Sequence, residues 1–293
     1  GLKIKPDGCY VDGTFGRGGH SREILKQLGN AGKLIAIDRD PQAIAAAPAS
    51  LTADPRFELI RGEIAQMSTF INERGLAGKV DGLLFDLGVS SPQLDEADRG
   101  FSFMRDGPLD MRMDPDSGRS ASEWLATVDE QALKHVLRKD GEENNASRIA
   151  RAIGQARDEA PISRTAQLAR IVEEAAPKRG QKKHPATKTF QAIRIAINGE
   201  LEQLEAVLTQ SVDAMRKGAR LCVISFHSLE DRIVKRFMRD ESRESEQYRG
   251  MPNVPAEFQP RLRTIGKVIS ATDEEIEANR RARSAHLRIA ERT

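Results

Sequence analysis

Short apolar runs in this chain end at a carboxylate three times over. The run closing on Tyr10 and Val11 meets Asp12, residues 33–37 meet Asp38, and residues 80–85 meet Asp86. Continuous apolar runs of this length, bounded by turn residues, predict buried strands. Residues 57–60 predict another. Between them the apolar spacing changes to three and four, as at Ile24, Leu25 and Leu28, and predicts helices from Ser21 onward, over 41–47 and over 67–73. Strands alternating with helices predict a parallel α/β sheet. The carboxyl ends of its strands line the edge where such sheets bind ligands, so Asp12, Asp38 and Asp86 are expected at one site.

Beyond Asp86 the pattern changes. Residues 95–118 are irregular and acid-rich, and a loop this long in a compact domain is usually functional or mobile. Its apolar members Phe101, Phe103, Met104, Leu109, Met111 and Met113 argue against a purely solvated tether. From Ser122 to Ala176 the spacing is helical, with no strand run, and predicts an inserted all-helical domain. A basic, turn-rich loop follows at 178–188. Phe190, Ile193, Ile197, Leu201, Leu204, Leu208 and Val212 then predict one long amphipathic helix packed on the sheet. Residues 220–226 predict a fifth strand and 231–239 a helix with Arg232, Lys235, Arg236 and Arg239 outward. Residues 267–270 and 286–290 predict a hairpin at the sheet edge. The expected division is residues 1–105, a helical substrate-recognition insert over 106–188, and 189–293.

Composition narrows the classes. At 293 residues and 39% hydrophobic, the chain can bury a core and is not a disordered tail. No apolar run approaches the roughly 20 residues that cross a bilayer, and no secretory signal opens the chain. Cys9 and Cys222 lie in separate apolar runs and are expected as buried free thiols in a reducing cytoplasm. The five histidines show no ligand spacing, so no metal is expected. A net charge of +2 does not announce nucleic acid, but the cations cluster at 178–188 and on the face of 232–239.

The chemistry turns on Gly13, Gly16, Gly18 and Gly19 after the first strand. A dinucleotide loop begun at Gly16 and Gly18 requires a third glycine where Ser21 stands. Asp38 suits a carboxylate taking both hydroxyls of a ribose. Asp12 would repel a pyrophosphate and attract the cationic methionine end of S-adenosylmethionine. An edge hairpin also fits the methyltransferase variant of the Rossmann architecture better than the dinucleotide one.

These residues resemble a known family. DGTFGRGGHS at 12–21, DLGVSSPQLD at 86–95, RGFSF at 99–103, LDMRM at 109–113, HPATKTFQA at 184–192 and SFHSLEDR at 225–232 are similar to the bacterial ribosomal RNA small subunit methyltransferase H family. The motifs run in order over almost the whole chain. The resemblance implies a Rossmann-like class I S-adenosylmethionine-dependent methyltransferase with an inserted helical domain, acting in the cytoplasm. It implies methyl transfer to the exocyclic N4 of a cytosine in 16S rRNA, at the decoding centre near the P site of the small subunit. The donor contacts it implies are Gly18, Gly19, His20, Asp38, Asp86 and Gln93, with Ile64 where the family often has Phe. The chain opens at Gly1, and the family's usual segment before the first strand is expected to be largely missing.

Methylation at N4 needs an acceptor for hydrogen bonds from the amine as its lone pair localises. Asp86, or backbone carbonyls of 87–90, sit where such acceptors belong. Methylation at C5 would need a thiolate in a catalytic loop, and neither cysteine is so placed. Ser90, Ser91 and Pro92 occupy the place of the proline-aromatic loop of many amino methyltransferases. Phe101 or Phe103 is either a platform for an extruded base or loop core. Lys188 is a candidate phosphate contact, and His227 either orients a ligand or packs at a strand end. Rival readings are a methyltransferase on another RNA or on protein, a non-catalytic ribosome-assembly factor, and an NAD dehydrogenase. Oligomeric state, monomer or homodimer, is left open.

Overall fold

The computed structural model describes residues 1–176, 184–244, 246–248, 253, 255 and 258–293. They form two compact units, one of residues 1–88 with 201–293 and one of residues 89–200.

The first unit is built on strands β1 (Cys9–Asp12), β2 (Lys33–Asp38), β3 (Phe57–Arg61), β4 (Val80–Asp86), β5 (Met215–Ser225), β6 (Leu262–Thr264), β7 (Ile269–Ser270) and β8 (His286–Arg292). Their order is β3-β2-β1-β4-β5-β8-β6, with β7 on β8. The first five are parallel, and β8 runs antiparallel between β5 and β6. Successive residues face opposite sides: Val11, Ile35, Ile37, Leu83, Phe85 and Val223 enter one core. Tyr10, Leu34, Ala36, Leu84 and Cys222 enter the other. With helices on both faces, these strands carry near-continuous apolar runs.

The tail departs from expectation. The expected hairpin is a two-residue contact of β7 with β8, and β8 lies inside the sheet. The strand beyond it, β6, has only Leu262 buried, so it carries no apolar run to read.

The second unit is wider than the expected insert at both ends. Leu109 and Met111 join Leu125, Leu137, Ile149 and Val172 in one helical core, as do Phe190 and Ile193 downstream. The single long helix expected across 190–212 is two helices, Ala186–Asn198 and Glu200–Ala214. Gly199, at φ +58°, takes the left-handed conformation that ends the first. Leu204, Leu208 and Val212 pack in the sheet's core, whereas Ile193 packs in the helical one.

Candidate functional site

Register brings the three acids to one edge, because β1 pairs with β2 on one side and β4 on the other. The chain after β1 is then sewn to both neighbours. Gly13 N donates to Leu84 O at 2.9 Å and Phe15 N to Ile37 O at 3.0 Å. Gly16 N donates to Asp38 Oδ2 at 2.7 Å, and Asp86 N donates to Thr14 Oγ1 at 2.6 Å. Gly18 stands at φ +72°, where a Cβ would lie 2.6 Å from Leu51 Cδ1, so the turn into helix Gly19–Leu25 requires glycine. A Cβ at Gly16 or Gly19 would meet no protein atom within 4 Å, which leaves open space beside the loop.

The acids differ in what satisfies them. Asp12 is fully buried: Oδ1 accepts Thr14 N at 3.2 Å and Oδ2 accepts the Ser21 hydroxyl at 2.7 Å. Burial raises its pKa above the ordinary aspartate value. Asp12 has no accessible surface and braces the loop; the attraction of its charge for the donor's cationic end, expected from the sequence, stays a proposal. Asp38 accepts Gly16 N at 2.7 Å and Asp40 N at 2.9 Å, and burial raises its pKa too. The main-chain N–H of Arg39 also donates to this carboxylate, which has about four acceptor positions, so capacity remains for a ribose hydroxyl. Asp86 Oδ2 faces His20 Nε2 at 3.4 Å, and this bond raises the His20 pKa. Asp86 Oδ1 is buried with no partner among the described residues. A buried acceptor left unpaired is costly, so this oxygen marks where a ligand donor fits. Bonding capacity at Asp38 and Asp86, with space at Gly16 and Gly19, suits S-adenosylmethionine.

Ile64 sits in the 3₁₀ turn Ile64–Gln66 directly after β3, half-buried against the core. An apolar groove of about 470 Å³, lined by Leu2, Ile4, His20, Leu84, Ile224 and Leu287 among others, shares only His20 with this group and does not reach Asp38 or Asp86.

The other expected residues serve their own elements. In the second unit, Gln93 is 5% exposed, and its Oε1 accepts Ser90 N at 2.9 Å to cap helix Ser91–Asp95, which Ser91 and Pro92 begin. Phe101 is buried with the Arg99 guanidinium 5.7 Å from its ring centre. Phe103 packs on His184 at 4.6 Å and Phe190 at 4.9 Å. Phe101 thus packs as loop core, and half-buried Phe103 packs edge-on to Phe190 beside the helical core. Lys188 Nζ donates to Glu142 O at 2.7 Å. In the first unit, His227 caps helix Ser228–Glu241, with Glu230 Oε1 3.1 Å from its Nε2. On that helix Arg236 pairs with Glu205 and Arg239 with Asp240, while Lys235 is exposed. Most of the basic loop, residues 178–183, lies outside the described residues.

Two contributors escaped sequence reasoning, Thr14 and the bonding role of Ser21. The Asp12–Thr14 spacing was a usable signal, since an aspartate that accepts the amide two residues on is a recurrent turn.

Among solved structures, the chain is similar to a candidate rRNA methylase from Clostridium thermocellum, at 13% identity and a TM-score of 0.45 over 99% of this chain and 91% of that one. It is also similar to an rRNA methylase from Streptococcus thermophilus, at 12% identity and 0.39 over 99% and 89%. Likenesses this distant carry no argument about activity. The family match does: the model of the MraW methylase family covers residues 1–293, and the protein belongs to that family of S-adenosylmethionine-dependent rRNA methyltransferases.

Proposed function

We propose that the protein methylates the exocyclic N4 of a cytosine in 16S rRNA, at the decoding centre near the P site of the small ribosomal subunit. The observation that carries the reading is Asp86, an acid at a strand end with one buried oxygen that no described residue pairs. S-adenosylmethionine supplies an already activated methyl group on a sulfonium. The chain's part is to hold and orient. Asp38 takes the ribose hydroxyls, the backbone of Gly18 and Gly19 lies along the donor, and Ile64 packs on the adenine. His20 completes the proposed contacts within this unit. Cytosine N4 is a weak nucleophile because its lone pair is delocalised into the ring. Alignment of reacting atoms supplies several kcal/mol, up to roughly 7–11 in well-ordered cases. Asp86 Oδ1 accepts a hydrogen bond from the amine and takes the proton that N4 sheds as the new N–C bond forms and the C–S bond breaks. The helical unit, residues 89–200, is the proposed RNA-recognition element.

The test uses radiolabelled S-adenosylmethionine with undermodified small subunits, followed by nucleoside digestion and mass spectrometry. Label on N4-methylcytidine at one site is expected. Label on another nucleoside, or none despite donor binding, would overturn the assignment of base and atom. Equal labelling of naked 16S rRNA would remove the assembled subunit as the required substrate.

A further inference from the structure

Thr14 stands between the two acids that flank the glycine loop and has no part in the scheme above. On one side its main-chain N–H donates to buried Asp12 Oδ1 at 3.2 Å, and the Ser21 hydroxyl closes the other oxygen of that carboxylate. On the other side its hydroxyl accepts the main-chain N–H of Asp86 at 2.6 Å.

The reason lies in the ladder between β1 and β4. Its last register pair is Asp12 with Leu84, and Gly13 N still reaches Leu84 O. The chain then turns away, so β4 runs on to Asp86 without β1 beside it. A main-chain N–H at a strand end needs an acceptor, and the Thr14 side chain takes the place of the absent strand carbonyl. Toward β5 the strand continues, with Asp86 opposite Ile224 and Leu87 N donating to Ile224 O at 2.9 Å. Asp86 is thus held from both sides, and on the β1 side the described hold is a hydroxyl. As a β-branched residue, Thr14 has few rotamers, which favours a fixed oxygen.

We infer that Thr14 is a positioning residue for methyl transfer: its hydroxyl fixes the main chain of Asp86 and so places the carboxylate against His20 with Oδ1 turned to the ligand. The inference rests on the transfer reading above. Thr14 touches no reacting atom in it and acts through Asp86. The buried Ser21–Asp12 pair is its foundation, holding the Thr14 amide from beneath.

The test compares Thr14→Val, which keeps the shape and removes the hydroxyl, with Thr14→Ser, which keeps the hydroxyl. Thr14→Ala is the fallback if the valine variant does not fold. Two readouts are taken. The first is the titration of His20 by NMR in the donor-free protein. His20 faces Asp86 from the end of β4 and Asp12 from the end of β1. Glu23 of its own helix, Lys3 and Arg220 line the same groove. In the wild type the His20 pKa lies above the ordinary histidine value; in Thr14→Val it falls towards that value, and in Thr14→Ser it stays raised. The second readout is steady-state methylation of undermodified subunits. Thr14→Val is expected to lose about tenfold or more in kcat at unchanged KM for the subunit, the scale of one unsatisfied buried donor. Thr14→Ser should stay close to wild type.

An unchanged His20 titration in Thr14→Val overturns the inference, even if activity falls, because the loss would then be general damage to the loop. A shifted titration with wild-type kcat also overturns it, since Asp86 would then have moved without consequence. If the wild type fails to methylate 16S rRNA, the transfer reading falls, and the inference with it as a statement about catalysis. His20 would then still report whether Thr14 holds Asp86.

Discussion

Ser21→Ala removes one hydroxyl from a position sealed from water, and its cost follows from the state of Asp12. The hydroxyl donates to Asp12 Oδ2 at 2.7 Å, and both residues are fully buried. A hydrogen bond to a charged group contributes about 1.5–3 kcal/mol, against about 0.5–1.5 for one between neutral groups. Burial is the largest influence on Asp12 and raises its pKa, while Ser21 and the Thr14 amide pull it back down. A carboxyl whose folded pKa is raised contributes stability that is complete below its unfolded value. That contribution is lost as the pH rises through the folded value. Alanine at 21 raises the folded pKa further, so the variant suffers most where Asp12 is charged. We expect a cost of about 1.5–3 kcal/mol on the alkaline side of the Asp12 folded pKa, shrinking to about 1 kcal/mol or less on its acid side. Native-state hydrogen exchange of the β1 and β2 amides reads this unit by itself. Wild type minus variant at each pH cancels the other titrating groups. An equal cost across the whole pH range, or one under about 0.5 kcal/mol throughout, would refute the account of a buried, titrating Asp12 held by Ser21.

The same geometry makes three shorter predictions. Asp38→Ala should weaken S-adenosylmethionine binding by about thirtyfold or more in calorimetry, since charge-assisted hydrogen bonds are lost at about 1.5–3 kcal/mol each. Because burial raises the Asp38 pKa, wild-type donor affinity should fall as the pH drops through that raised value; a loss under threefold in the variant would count against the diol assignment. Gly18→Ala places a Cβ 2.6 Å from Leu51 Cδ1 at φ +72°. Left-handed strain alone costs about 1–2 kcal/mol, so thermal unfolding should drop by several degrees and donor affinity with it. Asn198→Ala strips Met113 N of its acceptor at 2.8 Å and Met111 O of its donor at 2.8 Å, both in the buried loop of the second unit. Leaving these groups unsatisfied should cost about 2–4 kcal/mol, seen as faster exchange at 109–113; unchanged exchange there would show that the loop is held by other contacts.

Much of the first unit was legible because burial on both faces of a parallel sheet leaves continuous apolar runs, and β1, β2, β3 and β4 carry them. The rest was hidden for physical reasons. Apolar spacing runs unbroken through Gly199, because the residues before and after it each satisfy helical periodicity against a different core; only the left-handed φ separates them. Short β6, with one buried residue, leaves no pattern at all. Phe101 and Phe103 show the limit of residue type. An aromatic ring in a long loop fits a platform and a core alike, and its neighbours, Arg99 at Phe101 and His184 and Phe190 at Phe103, lie too far off in sequence or type to be read from it.

The three strand-end acids carry that point furthest. Their positions could be read from the sequence, but the direction each carboxylate faces could not, because that depends on which donors the fold supplies. Asp12 receives Thr14 N and the Ser21 hydroxyl and is closed. Asp38 receives three backbone amides, from Gly16, Arg39 and Asp40, and keeps the rest of its acceptor capacity. Asp86 is fixed through its own N–H to Thr14, meets His20 with one oxygen, and receives nothing from the described residues at the other. The fold supplies two donors to the sealed Asp12, three to Asp38 and one, from His20, to Asp86. The acid the protein leaves least satisfied is the one with bonding capacity to offer a ligand, and on this ground we propose Asp86, rather than the more deeply buried Asp12, as the centre of the site.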